Sequence, residues 1–237
     1  MNPDTVWGWL TFGDPERGTA ALLIEHLRFT GLAVGLACLV ALPLGLALGH
    51  YGRGGVLAVA VSNLGRAVPT LGVLVILAIS PLGQTDSAVV YALAIFAIPP
   101  LLTNTYVGMR EVDGEAVEAA VGMGMSPGQV LRRVELPLAF PLIAAGLRTA
   151  ILQVIATAVL AAAIGLGGLG RYLIEGLGSQ DDAQVLAGAI LVAALALVVE
   201  LLLAVLQRAV TPGRSGRSRG RDVNVVPTAG EPVTTQA

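Results

Sequence analysis

Long apolar runs separated by short polar segments are the feature that most limits how this chain can fold. The runs recur at a length of about 20 residues, which is what a helix needs to cross the hydrocarbon core of a bilayer. Hydrophobic residues make up 55% of the chain and charged residues only 13%, proportions outside the range of soluble domains. The sequence therefore predicts an all-α, polytopic membrane helix bundle with one domain in the lipid bilayer.

Five spans are predicted, at residues 29–49, 56–79, 88–107, 142–164 and 185–207. Asn63, Arg66 and Pro69 interrupt the second, so it is either one broken helix or two short ones, and six spans stay possible. Residues 1–28 are predicted to form an extracytoplasmic or interfacial segment, and residues 29–207 the transmembrane domain. Residues 208–237 are rich in Pro, Gly, Ser and Arg and are predicted to be a disordered basic tail in the cytoplasm.

The placement of arginine sets the predicted orientation. All 14 basic residues are arginine, and the chain has no lysine. With five spans, nine arginines fall on the side of the charged loop 108–140, three on the other side, and two within spans. Because basic residues are enriched in cytoplasmic loops, the charged loop is predicted to be cytoplasmic.

This loop has a pattern of its own. It holds eight of the 30 charged residues, and residues 111–123 are predicted to form a short helix, with glycines at 122 and 124 making a bend. Ser126 as an N-cap, Pro127 as the first helical residue and Gln129 as the partner in a capping box predict a second helix, ended by Pro137. The helix pattern alone fits a solvated linker as well as a docking surface.

Polar residues inside the apolar runs are candidates for a translocation path, because intramembrane ionisable groups are costly. The candidates are Asn63, Arg66, Asn104, Arg148, Gln153 and Glu200. For Arg66, lining a path and holding the bundle together are equally open. Arg148 and Glu200 each lie about seven residues, or ~10 Å, from the cytoplasmic ends of consecutive antiparallel spans, so an ion pair is predicted. In the alternative, Arg148 reaches lipid phosphates and Glu200 faces the pore or Arg66.

No enzymatic constellation is found. Residues 165–170 match GxGxxG, but a span rather than a β-strand precedes them, so a tight, backbone-exposed turn is predicted. A phosphate-binding P-loop needs a lysine, which the chain lacks. His26 and His50 lie at span ends without paired metal ligands. No catalytic residue, metal, cofactor or nucleic-acid partner is predicted.

The spacing in the charged loop supplies the resemblance to a family. Glu118-Ala119-Ala120 is followed after three residues by Gly124, after nine more by Val134, and after one more by Leu136-Pro137. This resembles the cytoplasmic EAA loop of permease subunits of bacterial ABC importers. The run VELPLAFPLIAAGLRTAILQVIATAVLAAAIGLGGLGRY and the segment 68–72 look like permeases for osmoprotectants: glycine betaine, carnitine, choline and proline.

The resemblance implies a multi-pass protein of the bacterial cell membrane. Two permeases, identical or different, would form the pore, two cytoplasmic ATPase subunits would dock on the EAA loops, and an extracytoplasmic solute-binding protein would deliver the solute. The chain itself would not be an enzyme, since its partner hydrolyses ATP. The alternatives are a permease for another small solute such as methionine, an ATP-independent carrier, and a membrane-embedded enzyme.

Overall fold

The computed structural model describes residues 5–12, 18–52, 54–56, 60, 63, 65 and 67–210, and every regular element in them is helical. The α-helices are α1 (Val6–Phe12), α2 (Thr19–His50), α3 (Thr70–Ile79), α4 (Asp86–Arg110), α5 (Gly114–Gly122), α6 (Pro127–Val130), α7 (Leu136–Ala158), α8 (Gly170–Ser179) and α9 (Asp182–Val210). A π-helix (Leu131–Glu135) joins α6 to α7, and a 3₁₀-helix (Val159–Ile164) follows α7. The predicted all-helical membrane bundle is confirmed.

Four helical stretches of the described chain are long and apolar enough to cross a membrane: α2, α4, the continuous stretch from α6 through the 3₁₀-helix, and α9. The first and second of these run parallel. At one end Arg28 of α2 pairs with Asp86 of α4 at 2.8 Å, and at the other end Gly49 packs on Met109. Residues 52 and 85 therefore lie at opposite ends of the bundle. α3 lies between these two residues along the chain, and the choice of five spans over six stays a prediction.

The bundle core is built from small side chains on α2, α4 and α7. Its fully buried members include Ala33, Ala37, Ala97, Ala150 and Ala158. Small residues let helix backbones approach closely, and such packing is a main source of helix association in lipid. α9 lies against this bundle more loosely, with most of its apolar side chains exposed on its surface.

The first transmembrane helix begins earlier than predicted, at Thr19 rather than Phe29. Polar residues expected at the surface lie within the helix because each finds a partner in the bundle. Glu25 accepts a hydrogen bond from the Gly168 amide at 3.0 Å, and the ring of the fully buried His26 lies 3.0 Å from the Ile155 carbonyl. The helix therefore extends ten residues beyond the predicted start of the span, and the boundary of the span itself stays a prediction.

The predicted break at Pro137 is also wrong, because one helical stretch runs from Pro127 to Ile164. A proline inside an α-helix removes an amide donor and clashes with the carbonyl four residues earlier. Here the π-helix precedes it, and the Leu136 amide donates to the carbonyl of Leu131, five residues back. Pro137 then lies in the first turn of α7, where a missing amide is tolerated.

The GLGGLG turn is exposed at Gly165 but buried from Gly167 to Gly170, so the predicted backbone-exposed turn is wrong for most of its length. Gly167, Gly168 and Gly170 are all buried between α2 and the end of α7. A Cβ at Gly170 would lie 2.1 Å from the carbonyl oxygen of Val159, which is backbone and cannot swing aside. The glycine-rich motif thus allows the backbone at the end of the fourth predicted span to pack closely against α8.

Replacing Gly170 with alanine is expected to destabilise the bundle by about 1–3 kcal/mol, the usual range for overpacking. Gly178, in the same helix α8, is the matched control because a Cβ there meets no atom within 4 Å. We expect the thermal midpoint of the purified protein to fall for Gly170→Ala and to stay unchanged for Gly178→Ala. Equal midpoints for the two variants would contradict the close-packing role.

Candidate functional site

The charged loop folds into two short helices, α5 and α6, beyond the end of the bundle at which α4 ends. The Asp113 side chain caps α5 by accepting a hydrogen bond from the Glu115 amide at 3.0 Å. Glu118 and Ala119 are exposed, whereas Ala120 is buried at 1% exposure. In the Glu118-Ala119-Ala120 triplet, one residue is therefore buried and two are exposed on the surface.

Gly124 ends α5 in a Schellman motif. Its amide donates to the Val121 carbonyl at 2.9 Å, and the Met125 amide donates to the Ala120 carbonyl at 3.2 Å. Gly124 itself has φ +82°, the left-handed region that glycine adopts without penalty. A Cβ at Gly124 would meet no atom within 4 Å. The glycine is required by backbone conformation and not by space.

The predicted capping box is confirmed at the start of α6. The Gln129 side chain accepts a hydrogen bond from the Ser126 amide at 2.8 Å, and Pro127 is the first helical residue. At the C-terminal end of α5 the apolar side chains of Val121 and Met123 are 58% and 72% exposed. The loop thus has two exposed apolar side chains next to exposed charged residues.

The last part of the EAA pattern lies on the π-helix and the start of α7. Val134 and Leu136 are partly buried, and Pro137 is exposed. Glu135, an unspecified position in the pattern, is buried at 8% exposure and lies 2.5 Å from the Nδ1 atom of His50 at the end of α2. This pair was not predicted, and its signal in the sequence was a histidine and a glutamate near the ends of two different apolar runs.

Two of the polar candidates form hydrogen bonds to backbone carbonyls of α4, which contains Pro99 and Pro100. Pro100 leaves the carbonyl of Phe96 in α4 without its helical donor. The Gln153 side chain of α7 supplies one, with Nε2 3.1 Å from that oxygen. Asn104 donates from Nδ2 to the Pro100 carbonyl at 2.7 Å. Both side chains thus hold α4 together where its prolines weaken it.

The candidates in the second predicted span are less closely determined. Asn63 is exposed, whereas Arg66 lies outside the described residues. Gly65 between them packs against Pro99 of α4, where a Cβ would lie 2.3 Å from Cγ. The described part of this segment thus lies beside the double proline of α4.

The predicted ion pair between Arg148 and Glu200 is present. Arg148 Nε donates to Glu200 Oε2 at 2.7 Å, and Nη2 contacts Oε1, so the guanidinium and the carboxylate meet through two pairs of atoms. Paired Arg–carboxylate contacts of this kind are the strong ones. The pair joins α7 to α9, where the side chains are 34% and 30% exposed.

The comparison with known sequences identifies the family. The family described as "Binding-protein-dependent transport system inner membrane component" matches residues 41–212, which include the loop, α7 and α9. The chain belongs to this family. It is therefore a multi-pass permease of the cytoplasmic membrane, and the match covers the EAA loop together with the helices around it.

Curated relatives of the permease resemble it over most of their length. The choline transport system permease protein OpuBB of Bacillus subtilis is 39% identical over 79% of this chain and 86% of that protein. The glycine betaine/carnitine/choline permease OpuCB of the same organism is 38% identical over the same shares. The osmoprotectant import permease OsmW of Salmonella typhimurium is 34% identical over 81% of this chain and 92% of that protein.

Solved structures share the fold of the permease. A chain of the MetNI methionine ABC transporter, in inward-facing conformations, superposes with a TM-score of 0.70 at 21% identity. The superposition covers 80% of this chain and 94% of that chain. An amino acid ABC transporter crystallised with histidines gives a TM-score of 0.66 at 22% identity, over 81% of this chain. At such identities the similarity is evidence for a shared fold and for nothing further.

Proposed function

We propose that this permease carries a small osmoprotectant of the choline, glycine betaine, carnitine or proline class into the cytoplasm, driven by ATP hydrolysed in a separate subunit. The observation that carries the proposal is the 34–39% identity to permeases named for choline, carnitine, glycine betaine and osmoprotectants, over about four fifths of the chain. The intact EAA spacing from Glu118 to Pro137 supports the dependence on ATP.

The ATPase is proposed to dock on the tip of the charged loop. Val121 and Met123 would enter an apolar depression of the ATPase, because they are exposed and lie outside the lipid. Glu118 on α5 and Arg132 and Arg133 on the π-helix are exposed around them and would form the polar rim. Ala120, Val134 and Leu136 would instead hold the loop on the bundle.

The complete transporter is proposed to contain a second permease, two ATPases and an extracytoplasmic solute-binding protein. Aromatic residues make up 4% of this chain, and quaternary ammonium groups are commonly bound by cages of aromatic rings. Selectivity is therefore assigned to the solute-binding protein. The permease would supply the path, for which Asn63 and Arg66 stay the candidates, since Asn104, Gln153, Arg148 and Glu200 are engaged within the bundle.

The test is uptake by proteoliposomes that contain the permease with its ATPase and solute-binding protein. Labelled choline, glycine betaine, carnitine and proline are offered separately, with methionine as the competing solute. We expect at least one osmoprotectant to accumulate only when ATP is present on the side of the membrane where the ATPase is bound. An ATPase that lacks its nucleotide-binding lysine should support no accumulation. Uptake of methionine alone would reject the solute class, and uptake without ATP would reject the importer.

A further inference from the structure

The contact between His50 and Glu135 joins the end of the first transmembrane helix to the exit of the charged loop. Glu135 is the last residue of the π-helix and is buried at 8% exposure, a rare position for an acidic residue unless it is paired. His50 is the last residue of α2, and its Nδ1 atom lies 2.5 Å from Glu135 Oε2. The ring of Tyr51 packs edge-on against the imidazole, with centroids 5.2 Å apart.

The π-helix places Glu135 on the side of α7 that faces the bundle. Buried positions along this stretch are Glu135, Ala139, Ile143, Gly146 and Ala150, which follow steps of three and four residues. The preceding buried residue is Val130, five positions before Glu135. Hydrogen bonds from residue i to i+5 bring residues five apart over each other, so the widened turn aligns the loop helix and the span on one face.

The opposite end of α2 is also attached to the fourth span. The ring of His26 lies 3.0 Å from the Ile155 carbonyl near the end of α7, and Glu25 accepts from the Gly168 amide at 3.0 Å. Between these ends, Leu42 and Leu46 of α2 pack against a cluster formed by Met109 of α4 with Ala139 and Ile143 of α7. α2 is thus held to the helical stretch 127–164 and to the turn after it by polar contacts at both ends, with apolar packing between them.

We propose that His50 is a positioning residue that fastens α2 to the coupling loop through Glu135 throughout the transport cycle. A displacement of the docked loop then moves α2 and α7 as one body. This proposal rests on the proposed docking of an ATPase on the loop. It assigns a role in energy coupling to two residues outside the positions that define the EAA pattern.

The first test replaces His50 with alanine in the complete transporter. Uptake per ATP hydrolysed is expected to fall by about fivefold or more, the usual size of a lost coupling between sites. Because the change leaves the buried Glu135 without this partner, folded yield is expected to fall as well, so uptake per ATP is measured only on the folded complex that co-purifies with the ATPase. Arg28→Gln is the matched control, because it removes an ion pair from the outer end of the same helix.

The second test uses a chemical link that replaces the contact. His50→Cys and Glu135→Cys are combined with Cys38→Ala, which removes the single native cysteine of the chain. A short thiol-reactive crosslinker should restore uptake per ATP in the double variant, with the two single-cysteine variants as controls. A merely structural role would give normal coupling before crosslinking, and that result would overturn the proposal.

A third readout needs no solute. Crosslinking yield at residues 50 and 135 should be equal without nucleotide and with ATP bound to a hydrolysis-deficient ATPase, since the proposed link stays closed. A yield that collapses in either state would overturn the proposal, as would a crosslinked transporter that stays uncoupled. If the unaltered complex hydrolyses ATP but moves no osmoprotectant, the proposed solute class is rejected. The comparison of crosslinking yields in the two nucleotide states still tests whether residues 50 and 135 stay in contact.

Discussion

Replacing Glu200 with alanine is expected to lower the folded yield of the permease sharply. The change leaves the Arg148 guanidinium inside the bilayer without its carboxylate, and a lone charge at this depth costs about 2.5–3.5 kcal/mol on insertion scales. Arg148→Ala should have a similar effect, because it leaves Glu200 unpaired. The measurement is the amount of monodisperse protein extracted from membranes, together with its thermal midpoint.

Two double variants separate a structural clamp from a group on the translocation path. Arg148→Glu with Glu200→Arg should recover part of the lost yield, and Arg148→Met with Glu200→Leu should recover most of it, since an apolar pair can replace a buried ion pair. Loss of transport in the well-folded apolar variant would assign the pair to the path. Purely additive damage in both doubles would mean that the two residues do not interact.

The outer pair of Arg28 and Asp86 provides the internal control for this experiment. It joins the same two residue classes at 2.8 Å, but its side chains are 59% and 42% exposed. Surface ion pairs contribute about 0–1 kcal/mol, so Asp86→Ala should scarcely change the yield. A loss as large as that of Glu200→Ala would show that depth in the membrane is not what makes the inner pair important.

Replacing Gly124 with valine is expected to give a protein that inserts normally but does not couple ATP hydrolysis to uptake. A non-glycine residue in the left-handed region costs about 1–2 kcal/mol, and a β-branched one is the worst case. A penalty of that size lowers the population of the native loop by about 5- to 30-fold relative to competing conformations. Asparagine, which tolerates this conformation, should retain more coupling than valine.

Gly122→Ala is the matched control for Gly124. Both glycines have open space where a Cβ would be placed, but only Gly124 has a positive φ. Alanine at 122, in the last turn of α5, should leave coupling intact and stabilise the helix slightly. ATPase co-purification and solute uptake measure both variants. Normal coupling in Gly124→Val would show that the Schellman motif is not needed for docking.

The sequence by itself determined the fold class, the family and the loop. Apolar runs long enough to cross a bilayer leave helices as the natural solution, because backbone groups in lipid must be satisfied internally. The capping residues Ser126 and Gln129 act through their nearest neighbours, so local rules predicted them correctly. The Arg148–Glu200 pair was predictable as well, since two charges at equal depth on consecutive antiparallel spans have few other partners.

Only the tertiary structure decided where the helices begin, where they continue, and which polar residues meet. Glu25 and His26 lie within α2 because groups more than 100 positions away in the sequence satisfy them. The helix continues through Pro137 because a π-helix precedes it, and local propensity gives no sign of that turn. The pairing of His50 with Glu135 depends on the packing of the first span against the fourth, which no spacing within either segment encodes.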